Sequence, residues 1–147
     1  MENYFLEQDI KLFYVKATSF PDGITEAHKK IYSLIGFAKD RKIYGISYPE
    51  SPGKIIYKAA VEESYSGEAE KLGCPVFIIK EGMYTSIYIN DFNSDIPAIG
   101  KAIQKLLYDP RIDPKGCCVE MYEGDKDVRC MVRLSEGYLA EERKFIK

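Results

Sequence analysis

Apolar residues recur at three- and four-residue steps in two segments of the chain, 24–38 and 96–107. This spacing places side chains on one face of a helix, so it predicts two amphipathic helices. Asp22 is predicted to cap the first helix, and Ser94 or Asp95 the second, with Pro97 in its first turn. The apolar stripes are Ile24, Ala27, Ile31, Leu34, Ile35 and Ala38 in the first helix, and Ile96, Ile99, Ile103, Leu106 and Leu107 in the second.

Runs rich in β-branched and aromatic residues surround the two helices and predict strands. Turn-forming groups separate several of these runs. The polar, glycine-containing segment 62–73 is interpreted as a loop between halves, and 135–147 as a mixed tail with a short helix as one option. The predicted strands are Ile10–Ala17, Lys42–Ser47, Ile55–Val61, Val76–Lys80, Met83–Asn90, Cys117–Tyr122 and Val128–Leu134.

The order of these elements is β-α-β-β, a linking strand, and β-α-β-β again. Sliding the chain by 72 positions sets Ile24 on Ile96, and sliding it by 74 sets Ile46 on Glu120. Shared order and matching positions favour a duplicated motif. We therefore predict one α+β domain over residues 1–147, with pseudo-repeats at about 8–63 and 74–134. Its antiparallel sheet should carry two helices on one face and a ligand groove between the copies.

Composition and charge exclude several classes of protein. Hydrophobic residues make up 46% and charged residues 30% of 147 residues, which suits one globular domain. The net charge is -2 with scattered Lys and Arg, so we expect no direct binding to nucleic acid. No apolar run approaches the roughly 20 residues of a membrane span, and the first six residues do not resemble a signal peptide. We expect a cytoplasmic protein that does not contact membranes.

Cysteine and histidine patterns give no support to a metal or cofactor. Cys117 and Cys118 are adjacent and would point to opposite faces of a strand, so we expect all four cysteines to be reduced. His28 falls on the apolar stripe of the first helix, without the spacing of metal ligands, and is interpreted as a packing residue. The acidic residues Glu123, Asp125 and Asp127 predict a charged hairpin turn. Glycine-rich phosphate motifs do not occur, so we predict no cofactor.

Alternation along three strands suggests a candidate site. In strand 117–122 the residues Cys118, Glu120 and Tyr122 share one face, whereas Cys117 and its alternate neighbours form an apolar face suited to packing under a helix. Tyrosines also gather on one face of strands 83–89 and 44–48. If these faces coincide, a carboxylate lies among tyrosines. The predicted ligand-binding residues are Glu120, Tyr122, Tyr84, Tyr88, Tyr44 and Tyr48.

A carboxylate among tyrosine rings suits an aromatic or cationic guest, because the rings stack on flat molecules and attract cations. Burial disfavours a carboxylate unless a cation or donors compensate. Glu120 would then either favour a positively charged ligand, or stay partly protonated and serve as an acid or base. The alternative is that Glu120 is a solvated strand residue and the tyrosines fill core and surface.

Three motifs carry a resemblance to a known family. They are Val15–Glu63, with Tyr44-Gly45-Ile46-Ser47 after the helix, then Ile79–Tyr84, and then Val119–Tyr122. In order and spacing they resemble the GyrI-like small-molecule-binding family, over about residues 8–134. That family includes effector-binding domains of bacterial AraC-type and multidrug-sensing transcription activators. The resemblance implies a tandem βαββ fold, a ligand in the groove between copies, and Glu120 facing that groove.

The resemblance leaves three functions open. The first is a stand-alone domain that senses or sequesters a hydrophobic, cationic or aromatic compound. The second is a hydrolase of cyclopropane-bearing alkylating compounds with Glu120 as catalytic acid or base, although the chain lacks the Trp that family members often have in the pocket. The third is a protein-binding, gyrase-inhibitor-like factor. No helix-turn-helix segment precedes residue 8, so we expect any transcriptional role to require a separate regulatory protein.

Overall fold

The computed structural model of the chain describes residues 1–36 and 41–136. The predicted end of the first helix at Ala38 and the predicted tail from residue 137 lie outside the described residues. The helices are α1 (Ile24–Ile35), α2 (Glu68–Leu72) and α3 (Ala98–Leu107), with a 3₁₀ turn at Phe92–Ser94. The strands are β1 (Glu2–Leu6), β2 (Ile10–Lys16), β3 (Ile43–Ser51), β4 (Lys54–Glu62), β5 (Val76–Ile79), β6 (Gly82–Ile89), β7 (Cys118–Glu123) and β8 (Asp127–Arg133).

These eight strands form one antiparallel sheet in the order β1-β6-β8-β7-β3-β4-β2-β5. Its two halves meet where β3 pairs with β7. Outward from this seam the first half runs β3-β4-β2-β5 and the second β7-β8-β6-β1, so the halves have matching strand orders. The predicted α+β fold, with β-α-β-β used twice, is confirmed by β2-α1-β3-β4 and β6-α3-β7-β8.

Short connections force the sheet to curl. Only residues 7–9 join β1 to β2, yet six strand spacings separate these strands in the sheet. Six spacings cover about 29 Å in a flat sheet, whereas three linking residues reach at most about 14 Å. The link between β5 and β6 is shorter still, at residues 80–81. The sheet therefore curls into a half-barrel whose edges approach each other.

Each face of the curled sheet has its own core. The interior of the half-barrel is filled by side chains from both halves, including Leu12, Tyr44, Ile46 and Met131, which are at most 1% exposed. The outer face carries the helices. Ile31 of α1 packs on the first half in one cluster, and Leu106 of α3 packs on the second half in another. Both helices thus lie on one face, as predicted.

Two elements were absent from the sequence prediction. Strand β1 pairs with β6, which follows it by about 80 residues in the chain. Its five residues therefore gain their hydrogen-bond partners only when the tertiary fold forms. Helix α2 lies in the segment interpreted as a loop. The carboxylate of Glu68, in the first turn of α2, is buried and accepts hydrogen bonds from Arg41 and Ser64. These bonds fix a helix that is too short to show apolar periodicity.

The predicted helix starts are also corrected. Gly23 occupies the N-cap of α1 in place of Asp22, and neither α1 nor α3 has a side-chain cap in the described structure. The second helix begins at Ala98, after the N-cap Pro97 and the 3₁₀ turn, rather than at Ser94 or Asp95. Ile96 therefore lies outside the helix and is 81% exposed. Among the described helices none has the length and apolar character needed to cross a membrane.

Candidate ligand-binding site

The candidate site lies on the helix-bearing face, at the seam between the two halves. The register of β3 and β7 sets Gly45 directly opposite Glu120. A side chain at position 45 would collide with its surroundings, since a Cβ built there would lie 2.7 Å from Oε1 of Glu120 and closer still to the hydroxyl of Tyr57. Glycine therefore makes the space into which the carboxylate and the phenol fit.

Two phenols hold the carboxylate of Glu120. Tyr122 donates to Oε1 over 2.7 Å, and Tyr57 donates to the same oxygen over 3.2 Å. Nε2 of His28 lies 2.8 Å from the hydroxyl of Tyr57. When the carboxylate is ionised, Tyr57 gives its one hydroxyl hydrogen to Glu120, so His28 must donate through Nε2–H. The result is a chain of hydrogen bonds from α1 to the seam.

Aromatic rings surround the carboxylate on the helix side. The ring of His28 is 5.7 Å from that of Tyr57 and 6.2 Å from that of Tyr122, in both cases edge to face. Phe92, before α3, lies 5.4 Å from Tyr122, and Phe20, before α1, lies 6.2 Å from Tyr57. Phe20 is 44% exposed, so the cluster of aromatic rings contacts solvent on the side of Phe20.

Burial controls the charge state of this cluster. Glu120 is 7% exposed. Its burial raises the pKa, and the hydrogen bonds from Tyr122 and Tyr57 only partly offset that rise. Burial lowers the pKa of His28 to about 4, so the imidazole is neutral at pH 7. Burial and the nearby Glu120 raise the pKa of both phenols, which keeps them protonated as donors.

The carboxylate of Glu120 has no cationic partner in the described part of the chain. No ion pair there includes it, and neutral phenols supply its hydrogen bonds. An uncompensated buried carboxylate is unfavourable, and a positive charge brought within a few ångströms relieves that cost. Groups of three or more His, Cys, Asp or Glu able to hold a metal ion do not occur among residues 1–36 and 41–136.

The six predicted site residues do not all lie together. Glu120 and Tyr122 share the helix-bearing face, but the expectation that the tyrosines of other strands share it is wrong. Tyr44 pairs with Met121 and Tyr84 with Arg133, which places both phenols inside the half-barrel. The same alternation puts Tyr48 and Tyr88 on that interior side, where Tyr48 packs against the interior core.

The error comes from register, because alternation assigns residues to two faces without saying which faces match. The face of Cys118 and Glu120 lies toward the helices, while Cys117, predicted to lie under a helix, packs in the interior. The predicted match of Ile46 to Glu120 also fails, since these residues lie on opposite faces. Cys117 and Cys118 do point to opposite faces, and all four cysteines are free.

Sequence reasoning missed several residues of the site. Tyr57 follows the period of Ala59 and Val61 and could have been placed beneath the first helix by that alternation. His28 packs as predicted, but it also bonds Tyr57. The imidazole of His28 on the apolar stripe of the first helix was the available signal, because a buried polar ring needs a hydrogen-bond partner. Phe20 and Phe92 lie outside regular strands, so no periodicity marked them.

The fold is similar to those of solved structures. An integron cassette protein from the mobile metagenome of Vibrio cholerae is 14% identical, with a TM-score of 0.67 over 91% of this chain and 95% of that one. The protein SAV2435, solved bound to tetraphenylphosphonium, is 14% identical, with a TM-score of 0.61 over 96% and 97%. A hydrolase from Listeria innocua is 10% identical, with a TM-score of 0.55 over 91% of each chain.

These similarities support the α+β fold described above. At 14% identity or less they concern the fold alone. No protein-family model matches the chain, and no curated protein matches it.

Gly45→Ala is predicted to destabilise the protein by about 1–3 kcal/mol, because the new methyl group must displace Tyr57 or Glu120 from a packed cluster. Urea unfolding measures the change. Gly100→Ala is the matched control, since its Cβ meets nothing within 4 Å. Alanine within α3 should stabilise by about 0.5–1 kcal/mol. Equal effects at the two positions would contradict the close approach at Gly45.

Glu120→Gln is predicted to stabilise the unliganded protein at pH 7, by about 1.4 kcal/mol for each unit by which folding raises the carboxyl pKa. Between the unfolded and the folded pKa, the native state binds more protons, so wild-type stability falls as pH rises. Glutamine removes this dependence while keeping an acceptor for both phenols. Urea melts from pH 4 to 8 test this, with the exposed Glu70→Gln as control. A variant that is less stable throughout would contradict a raised pKa.

Proposed function

We propose that the chain is a GyrI-like small-molecule-binding domain that holds a hydrophobic, aromatic organic cation over Glu120, in the groove between its two halves. One observation carries this proposal. Glu120 is a buried carboxylate, held by phenols and bordered by aromatic rings, without a positive charge beside it in the described residues. A cationic ligand supplies the charge that the protein does not.

The chemistry of the site favours a cation with a large apolar surface. Tyr57 and Tyr122 already donate to Oε1, so a ligand needs no hydrogen-bond donor to stabilise the carboxylate. Charge attraction is strong where water is excluded, and the faces of aromatic rings attract cations as well. Tetraphenylphosphonium, bound by the structurally similar SAV2435, is a cation of this kind.

Within the proposed site, each group has its own task. Glu120 supplies the negative charge, while Tyr122 and Tyr57 hold it in one orientation. Phe20 and Phe92 border the ligand on the sides of the two helices. Tyr44, Tyr48, Tyr84 and Tyr88, which were predicted to bind the ligand, lie on the other face, and we assign this ligand no contact with them.

Hydrolysis is the second candidate. Its support is the raised pKa of Glu120, which suits a general acid or base near neutral pH, together with a structural neighbour described as a hydrolase. Binding is the better supported function, because both phenols already bond Oε1 of Glu120 and the chain has no Trp. Sensing or sequestering a compound requires binding alone.

Calorimetric titration with tetraphenylphosphonium tests the proposed function. Wild type should bind, and Glu120→Gln should weaken binding by at least about tenfold, or 1.4 kcal/mol, because the neutral amide cannot compensate the cation. Affinity should fall as pH is lowered, since protonated Glu120 carries no charge. Glu70→Gln on the exposed surface should bind as wild type does.

Circular dichroism of each variant separates loss of binding from loss of fold. Equal affinity of wild type and Glu120→Gln, at every pH, would contradict the role of the carboxylate. Absence of wild-type binding would count against an organic cation as the ligand.

A further inference from the structure

The interior of the half-barrel holds a second buried charge, the ammonium of Lys58 on β4. Lys58 is only 9% exposed. Its Nζ lies 4.3 Å from the ring centroid of Tyr14, 5.0 Å from that of Tyr48 and 5.2 Å from that of Phe77. Among the described residues Lys58 has no carboxylate partner. Aromatic faces attract an ammonium but carry no net charge, so the positive charge is not neutralised.

Lys58 remains protonated despite its burial. Burial disfavours the ammonium, but the neighbouring side chains of Tyr48 and Tyr14 outweigh that effect, and the pKa is raised. A lysine that acts as a nucleophile needs a lowered pKa. Lys58 is therefore suited to attracting an anion rather than to attacking a carbonyl group.

The other half of the sheet shows what Lys58 lacks. Matching strand order and register place Arg129 where Lys58 lies, and Tyr4 where Phe77 lies. Arg129 also lies over aromatic rings, 4.4 Å from that of Tyr4. There, however, Glu2 supplies a carboxylate 2.6 Å from Nη1.

The corresponding place in the first half is neutral. The register sets Pro75 beside Tyr14, as it sets Glu2 beside Ser86 in the second half. Each half thus places a cation over aromatic rings. Arg129 has the carboxylate of Glu2 beside it, whereas the corresponding position near Lys58 is the uncharged Pro75.

A cavity of about 280 Å³ lies beside two of the rings that surround Lys58. Tyr48 and Phe77, two of the three rings over which the ammonium lies, also form its walls. The thiol of Cys117, on the same cavity, is near enough to Lys58 that the ammonium partly offsets the effect of burial on the thiol pKa. The lining contains one cation, Lys115, and no carboxylate: Tyr48, Pro49, Phe77, Pro114, Lys115, Gly116 and Cys117.

We propose that this cavity is a second ligand site, distinct from that at Glu120, and that it binds a small aromatic carboxylate. The carboxylate of the ligand pairs with Lys58 in place of the missing counterpart of Glu2, with Lys115 at the rim. The apolar ring of the ligand lies between Tyr48 and Phe77. The volume holds one or two fused rings, and is just below the usual range for drug-sized ligands, about 300–1,000 Å³.

Titration with 2-naphthoate, followed by amide NMR shifts, tests this second site. In wild type the shifts should cluster at Tyr48, Phe77 and Cys117. The uncharged 2-naphthamide should bind at least about tenfold more weakly, because only the carboxylate gains from the buried ammonium. This comparison needs no substitution in the protein.

Variants assign the effect to one side chain. Lys58→Met keeps most of the length of the side chain and removes its charge, and should weaken 2-naphthoate binding by at least about tenfold. Lys54→Met removes an exposed charge from the same strand and should bind as wild type does. Glu120→Gln should also leave 2-naphthoate affinity unchanged, so the two sites are tested independently.

Several results would overturn the second site. They are equal affinity for the acid and the amide, full affinity in Lys58→Met, and shifts that cluster around Glu120 instead of Cys117. A failure to detect 2-naphthoate binding at millimolar concentration would also overturn it.

Discussion

The pairing of β3 with β7 is the constraint on which the rest of the molecule depends. It joins the two halves of the sheet and sets Gly45 against Glu120, so that a carboxylate is enclosed at the centre of the helix-bearing face. Phenols from β4 and β7 stabilise the group, and a neutral imidazole from α1 completes the chain of hydrogen bonds. Fold and site therefore share one structural element.

The two proposed sites depend on differences between the copies of the duplicated motif. At the seam one half contributes Gly45 and the other Glu120, so the seam has one buried carboxylate rather than two. Inside the half-barrel the relation is similar. Arg129 is paired with Glu2, whereas Lys58 has no corresponding acid. Each face of the sheet thus carries a buried charge that the described residues leave uncompensated, negative on the helix side and positive in the interior.

Much of the fold could be predicted because amphipathic periodicity is a local property. The stripes that include Ile31 and Leu106 identified both long helices, and runs of β-branched and aromatic residues identified seven of the eight described strands. Strand β1 was not predicted, because its pairing with β6 depends on the closure of the whole sheet. Glu68, whose partner Arg41 lies 27 positions earlier in the chain, likewise fixed a helix that its local sequence did not indicate.

The site was only partly predictable. Alternation grouped Glu120 with Tyr122, and that group is what the structure places together. Alternation could not show that Tyr44 faces the other way, because the relative register of β3 and β7 is set by tertiary pairing and shifts by a single residue reverse the face. Tyr57 and His28 were missed for the same reason, since their bond to each other joins α1 to β4 across 29 positions.

The most direct measurement of the central claim is the titration of the Glu120 carboxyl carbon by ¹³C NMR, with and without saturating tetraphenylphosphonium. A buried carboxylate that lacks a countercharge should titrate above the ordinary range of glutamate in the free protein, and its pKa should fall when the cation binds. An ordinary pKa for Glu120, unchanged by the cation, would contradict the account.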